Sequence, residues 1–380
     1  MPLLKETGAN ERTLRVVAIG GGTGLSTLLR GLKRYVATPD RRKTPRLDRR
    51  ADGPQGTPGP ERRGSPELPH VSSEFACVIR ELSAVVTVTD DGGSSGRLRE
   101  DFKMLPPGDI RNCMVALSED EHLLSKLFQF RFDQGELEGH SFGNLFVAAL
   151  SHITGDFAQA VQMSSQILAT RGKIFPATNT NVTLAALMAD GSLVRGETNI
   201  TASKQSIVEL MLEPATADPL PETLAAIANA DLITLGPGSL YTSLITNLLV
   251  RGIPEALAAS RATKVFVCNL MTQANESLGL TASQHIEKIL QHVGEPRSPI
   301  FDYALINTGP ISAVRLEQYA REGQQPIEAD LEAIRALGVE PVTGDFVHEG
   351  EVLRHDYDRV AERLLALGLD RSASALTHQA

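Results

Sequence analysis

One stretch constrains this chain more than any other: Val16-Val17-Ala18-Ile19-Gly20-Gly21-Gly22-Thr23-Gly24-Leu25-Ser26-Thr27. Its four apolar residues, two of them Val and one Ile, read as a buried strand. A glycine-rich turn follows at once. Leu25, Leu28, Leu29, Leu32 and Val36 then fall at helical spacing, which predicts a helix from about Gly24. Strand, glycine turn and helix together aim free backbone N–H groups at an anion. Glycine suits that place because a Cβ would hold a phosphate away. The plainer alternative is a tight turn with no ligand.

The turn is not a complete dinucleotide fingerprint. Counted from Gly20, the sixth place of G-x-G-x-x-G is Leu25; counted from Gly22, it is Thr27. No Lys-Ser/Thr pair follows, so it is not a Walker A loop either. It indicates a phosphate without naming the cofactor.

Composition narrows the classes. A net charge of −9 argues against nucleic acid or an anionic membrane as the main partner. Cys77, Cys113 and Cys268 are far apart and form no C-x-x-C pair, which argues against a disulfide framework or a structural zinc site. No apolar run is long enough to span a bilayer, and Met1-Pro2-Leu3-Leu4-Lys5-Glu6 is no signal peptide, so the expected place is the cytoplasm.

Further along, residues 38–73 hold eight arginines and lysines among prolines and glycines. Such a composition buries too little apolar surface to offset its ordering entropy, so a disordered insertion is expected there. Ala84-Val85-Val86-Thr87-Val88 is the next strand, and it runs into Thr89-Asp90-Asp91-Gly92-Gly93-Ser94-Ser95-Gly96-Arg97. Two adjacent carboxylates after a strand can accept sugar hydroxyls, hold a divalent cation or take a proton. As a solvated turn they would only cap a helix. Arg97 and Arg99 stand beside them as phosphate carriers.

Asp109 is placed to cap the helix through Leu117, with Arg111 on its first turn. Gly139-His140-Ser141-Phe142-Gly143 spells a nucleophile elbow, but no strand precedes it, so the hydrolase reading is rejected. His140, Ser141 and Asn144 instead open an apolar helix, as ligand contacts or, for Ser141, as a cap. A hairpin on Asp190-Gly191 is predicted over residues 181–198, within a small antiparallel elaboration spanning 170–225.

Gly236-Pro237-Gly238-Ser239 follows the strand Ala230–Leu235 and leads into a helix, a second strand–glycine–helix unit and a second expected anion contact. Lys264–Leu270 and Tyr303–Asn307 read as further strands, the latter as the last of the series. A helix over Tyr357–Leu367 follows near the end. Alternating strands and helices predict an α/β, Rossmann-like, doubly wound and mostly parallel sheet with a small β-hairpin elaboration. The chain divides into a tail over 1–13, an α/β nucleotide-binding domain over 14–340 and a C-terminal helical extension over 341–380.

Five blocks carry a resemblance. They are Ile19–Gly24, Thr89–Arg97, Pro107–Asn112, Gly139–Asn144 and Leu235–Tyr241, in that order. Together they resemble the gluconeogenesis factor family, relatives of 2-phospho-L-lactate transferase. The resemblance implies a cytosolic homo-oligomer that binds a UDP-sugar and serves cell shape and growth on gluconeogenic carbon. Its transferase relatives move a phospholactyl group from a guanylated donor to a deazaflavin with a divalent metal. Their second loop reads like T-G-D-D; here Thr89 stands where that glycine would be, which favours nucleotide binding over transfer.

On this reading Gly21, Gly22, Thr23, Gly24, Gly238 and Ser239 hold a diphosphate. Asp90 and Asn144 take hydroxyls, and Arg97, Arg111 and His140 complete the ligand site. The alternative is a phosphoryl-group transferase, with Asp90 and Asp91 as catalytic residues holding Mg²⁺.

Overall fold

The computed structural model describes residues 13–37, 78–119, 123–203, 205–274, 276–294 and 299–377. Strand β1 (Leu14–Gly20) is buried along nearly its whole length, the pattern of a strand covered on both faces. Helix α1 (Gly22–Leu32) follows, then β2 (Ile79–Val86) and the helices α2 (Gly93–Phe102), α3 (Gly108–Leu117), α4 (Leu123–Gln129), α5 (Phe142–Thr154) and α6 (Phe157–Ile167). Strand β3 (Lys173–Pro176) precedes a small antiparallel sheet made of β4 (Thr183–Met188), β5 (Leu193–Arg195) and β6 (Ile207–Glu213), with α7 (Glu197–Ala202) between the last two. Next come α8 (Pro221–Asn229), β7 (Leu232–Leu235), α9 (Thr246–Leu248), α10 (Ile253–Ala259), β8 (Thr263–Val267), α11 (Ala282–Val293) and β9 (Tyr303–Asn307). The chain closes with α12 (Ala313–Ala320), α13 (Leu331–Ala336), β10 (Glu340–Gly344), the hairpin β11 (Val347–Glu349) and β12 (Leu353–His355), and α14 (Tyr357–Thr377).

The main sheet has seven strands in the order β10-β9-β8-β7-β1-β2-β3, with every pair parallel. The α/β, doubly wound expectation therefore holds. The order reverses between β1 and β7, and such a switch point opens a crevice at the carboxyl ends of the strands. Arg15 fastens this seam at the other end, donating from its backbone and guanidinium to Asp231 at 2.8–3.0 Å.

Several expectations are corrected. Asp109 is not a cap: Pro107 holds that position, and Asp109 lies inside the first turn of α3 with its carboxyl turned toward α1. The hairpin ends at Arg195, and Thr198 lies in α7, because Gly196 at a φ of 90° turns the chain. Strand β3, inside the 170–225 stretch, belongs to the main sheet. Tyr303–Asn307 is not the last strand, since β10 pairs beside it. Helix α14 is part of the core: Val360, Ala361, Leu364 and Leu365 are buried, and a Cβ on Gly31 of α1 would strike the Tyr357 carbonyl. The arginine-rich 38–73 stretch lies outside the described residues. Among the described residues, no helix is long and apolar enough to cross a membrane, and Cys113 and Cys268 are free and buried.

Candidate functional site

Helix α1 begins with Gly21 at its N-cap, which has no side chain to cap the first turn, and Asp109 accepts from Gly22 N instead. The turn opens on a cavity of about 440 Å³ at the switch point. Gly22, Thr23 and Gly24 form one wall, and Pro237, Gly238 and Ser239 after β7 form the facing one. The walls touch: a Cβ on Gly24 would strike the Pro237 carbonyl. Asn269, after β8, fixes the second wall from both sides. Its Oδ1 accepts from Gly238 N at 3.1 Å and its Nδ2 donates to Gly238 O at 2.7 Å.

The helix predicted after Ser239 is a wide π-helical turn over Leu240–Ile245. Its N-terminus is already occupied: Glu276 accepts from Tyr241 N at 3.3 Å and from Thr242 Oγ1 at 3.1 Å. The second anion contact expected there is thus filled by the protein's own carboxylate, and Gly238 and Ser239 contribute a wall instead. Gln273 donates to Ser239 Oγ at 3.1 Å, while its own Oε1 is buried without a partner. That oxygen is an acceptor waiting for a donor.

The back of the cavity is acidic. Asp109 and Glu197 both line it. Burial, and then the neighbouring Asp90, raise Asp109 to about 7. Burial, with Asp109 and Asp90 nearby, raises Glu197 to about 9, although it accepts a bond from Thr89 Oγ1 at 3.0 Å. At neutral pH Glu197 is a carboxylic acid and can donate a hydrogen bond. The mouth is different. Tyr319, Gln324, Leu353, Arg354 and His355 stand there, and Arg354 is the one lysine or arginine in the wall. His355 stays neutral, because burial lowers it to about 4.

Of the residues named from sequence, the cavity gathers Gly22, Thr23, Gly24, Gly238 and Ser239, with Gly21 just before. The others form a polar network beside it, around the N-termini of α2, α3 and α5. Ser94 Oγ meets His140 Nδ1 at 3.1 Å and accepts from Asn144 Nδ2 at 3.2 Å. Arg111 donates to Ser141 Oγ at 2.8 Å and to Asn112 Oδ1 at 2.7 Å. Burial lowers the pKa of Arg111, and burial with Arg97 close by lowers that of His140. Ser141 caps α5 by accepting from Asn144 N at 3.2 Å, as the capping alternative expected. Arg97 is exposed and donates to Glu138 O at 2.9 Å.

The two adjacent aspartates diverge. Asp90 accepts from Gly92 N at 3.0 Å, and its other oxygen faces Gly108. Asp91 accepts from Thr198 N at 2.8 Å and Thr198 Oγ1 at 2.6 Å, and its other oxygen faces Gly196. They do not converge on one point where a cation would sit, and no three His, Cys, Asp or Glu side chains among the described residues are grouped to hold a metal.

Sequence reasoning did not name Glu197, Asn269, Gln273 or Arg354 as site residues. Asn269 and Gln273 carried a signal, a polar stretch directly after a strand. Glu197 and Arg354 carried none, because both arrive on small elaborations far along the chain. A larger cavity, about 770 Å³, runs along edge strand β3, where the N-termini of α6 and α8 line it; the first is already capped by Asp156 and the second starts on Pro221.

Comparison with known proteins gives the family and the fold. Residues 16–347 match the family described as 2-phospho-L-lactate transferase CofD. The gluconeogenesis factor of Halalkalibacterium halodurans is 42% identical, over 95% of this chain and 98% of its own. That of Bacillus subtilis is 41% identical, over 93% and 98%. A crystal structure of a UPF0052 family protein from Bacillus halodurans superposes with a TM-score of 0.79 at 42% identity, covering 93% of this chain and 99% of that one. With residues 16–347 matched and the fold shared with a relative at 42% identity, the chain belongs to the CofD family, alongside the gluconeogenesis factors.

Proposed function

We propose that this protein is a cytosolic binding protein for a nucleotide sugar of the UDP-sugar class, serving cell shape during growth on gluconeogenic carbon. The observation that carries the ligand class is the meeting of the glycine-rich first turn of α1 with Arg354 across one cavity. Both favour an anion. Asp109, which takes the Gly22 N–H, and Glu197 disfavour one, so a diphosphate lies toward Arg354, beside Thr23, Gly24 and Gly238. The neutral, hydroxyl-rich part then faces Glu197 and Gln273, one able to donate and the other in need of a donor. The cavity volume of about 440 Å³ is in the range that encloses a ligand of this size.

Calorimetric titration with UDP-glucose, UDP, GDP, NAD and FAD, each with Mg²⁺ and with chelator, tests the reading. UDP-glucose binds best and without need of Mg²⁺. Arg354→Ala weakens it at least tenfold, about 1.4 kcal/mol. A strict Mg²⁺ requirement with turnover would instead establish the phosphoryl-transferase alternative. Absence of binding to any nucleotide overturns both readings.

A further inference from the structure

Helix α12 buries none of its residues fully and only half-buries Arg315, Leu316 and Tyr319, so packing contributes little to where it stands. Val314 on it is 75% exposed, and Val352 in the neighbouring hairpin turn is 43% exposed. What joins the two elements is a set of hydrogen bonds. The Arg315 guanidinium donates to Glu351 O at 3.0 Å and also to Gly350 O. Ser312 N donates to Glu349 Oε1 at 2.6 Å, and Leu353 N donates to Tyr319 Oη at 3.1 Å. The hairpin needs this support, because two strands of three residues are marginal on their own.

The hairpin in turn places the mouth of the cavity. Strand β12 is pinned at Leu353 by Tyr319 and at His355, whose Nε2 bonds Cys268 O at 3.0 Å. Arg354 lies between those pins, paired with His348 through the strand, and its exposed side chain has no hydrogen-bond or ion-pair partner among the described residues. We infer that Arg315 is a positioning residue: by clamping the β11–β12 turn it sets Arg354 against the anionic part of the ligand. The planar fork of Arg315 suits two neighbouring carbonyls, which a single ammonium would hold less well. The benefit is preorganisation, since a hairpin held before binding loses less freedom on binding. The inference rests on the nucleotide-sugar reading of the same cavity.

A double-mutant cycle tests it, with UDP-glucose as the probe and the full chain as the protein. Arg354→Ala weakens binding at least tenfold, and Arg315→Ala weakens it about fivefold. The double variant binds no worse than Arg354→Ala alone, because Arg315 acts through Arg354. Wild-type affinity falls as salt rises, and this dependence flattens in Arg315→Ala as it does in Arg354→Ala. Arg315→Lys keeps a positive charge on α12 and gives an intermediate loss, so the comparison survives if Arg315→Ala fails to fold. Losses that add in the double variant, or an unchanged salt dependence in Arg315→Ala, overturn the positioning role while wild-type binding keeps the ligand reading. A wild type that binds no nucleotide sugar overturns both.

Discussion

Two residues show how much the site depends on contacts that are distant in sequence. By sequence, Gly24 is a place where a Cβ would hold a phosphate away. The structure gives a harder constraint: a Cβ there meets the backbone of Pro237 and lies 3.1 Å from Gly238 Cα. Backbone cannot step aside as a side chain can. Gly24→Ala is therefore expected to cost about 1–3 kcal/mol of stability in denaturant titration, as overpacking does. A variant of unchanged stability would mean that the two glycine walls are not in contact. Glu197 makes an argument about pH. Its folded pKa of about 9 lies above the ordinary carboxylate value, so folding favours the protonated form. The stability it contributes is complete below about 4.5 and is lost as pH rises through 9. The melting temperature of the ligand-free protein falls from pH 6 to pH 9, and Glu197→Gln flattens that fall. Equal slopes in the two proteins would show that the carboxyl is solvated.

At the scale of elements, helix ends decide more of the site than helix lengths do. Helix α1 opens with a glycine and offers its first turn to the cavity. The π-helical turn after Ser239 looks similar in sequence, and Glu276 closes its N-terminus. The same strand–glycine–helix pattern thus gives two ends that each hold one of the protein's own carboxylates, Asp109 at Gly22 N and Glu276 at Tyr241 N. Helix α5 shows a filled end of another kind. Ser141 caps it and also accepts from Arg111, so one hydroxyl serves a helix and a buried guanidinium. Ser141→Ala should lower stability by about 1–2 kcal/mol, read from chemical denaturation. Ser141→Thr, which keeps the hydroxyl, should recover most of it. If alanine costs nothing, the network around Arg111 is held elsewhere.

For the whole molecule, the ends of the arginine-rich stretch are the informative feature. Val36 bridges to Ile79, and Ala37 N donates to Ile79 O at 2.8 Å. The chain therefore leaves and re-enters the fold at nearly one point. Replacing residues 38–73 by a short glycine–serine linker should leave melting temperature and nucleotide affinity almost unchanged. Closing a loop of a different length changes stability by only about 0.6 kcal/mol per doubling. A large loss of either would show that the stretch serves the core or the ligand.

The sequence by itself determined the α/β architecture and the first wall of the site. Val16–Ile19 and Ala84–Val86 are continuous apolar runs because parallel strands are covered on both faces, and the glycines after Ile19 mark a turn that only small residues fit. Such signals are local, written in neighbouring residues. Tertiary structure alone decided which polar groups meet at the cavity. Asp109 looked like a cap until α3 packed against α1 and aimed its carboxyl at Gly22. Glu197 and Arg354 reach the site from a small sheet and a hairpin inserted far along the chain. Strand β10 was missed because its pattern is short and its place is fixed by pairing with β9. The physical reason is common to all of them. A charge acquires its protonation state and its role from burial and from neighbours brought together by the fold, and neither is encoded in the residues beside it.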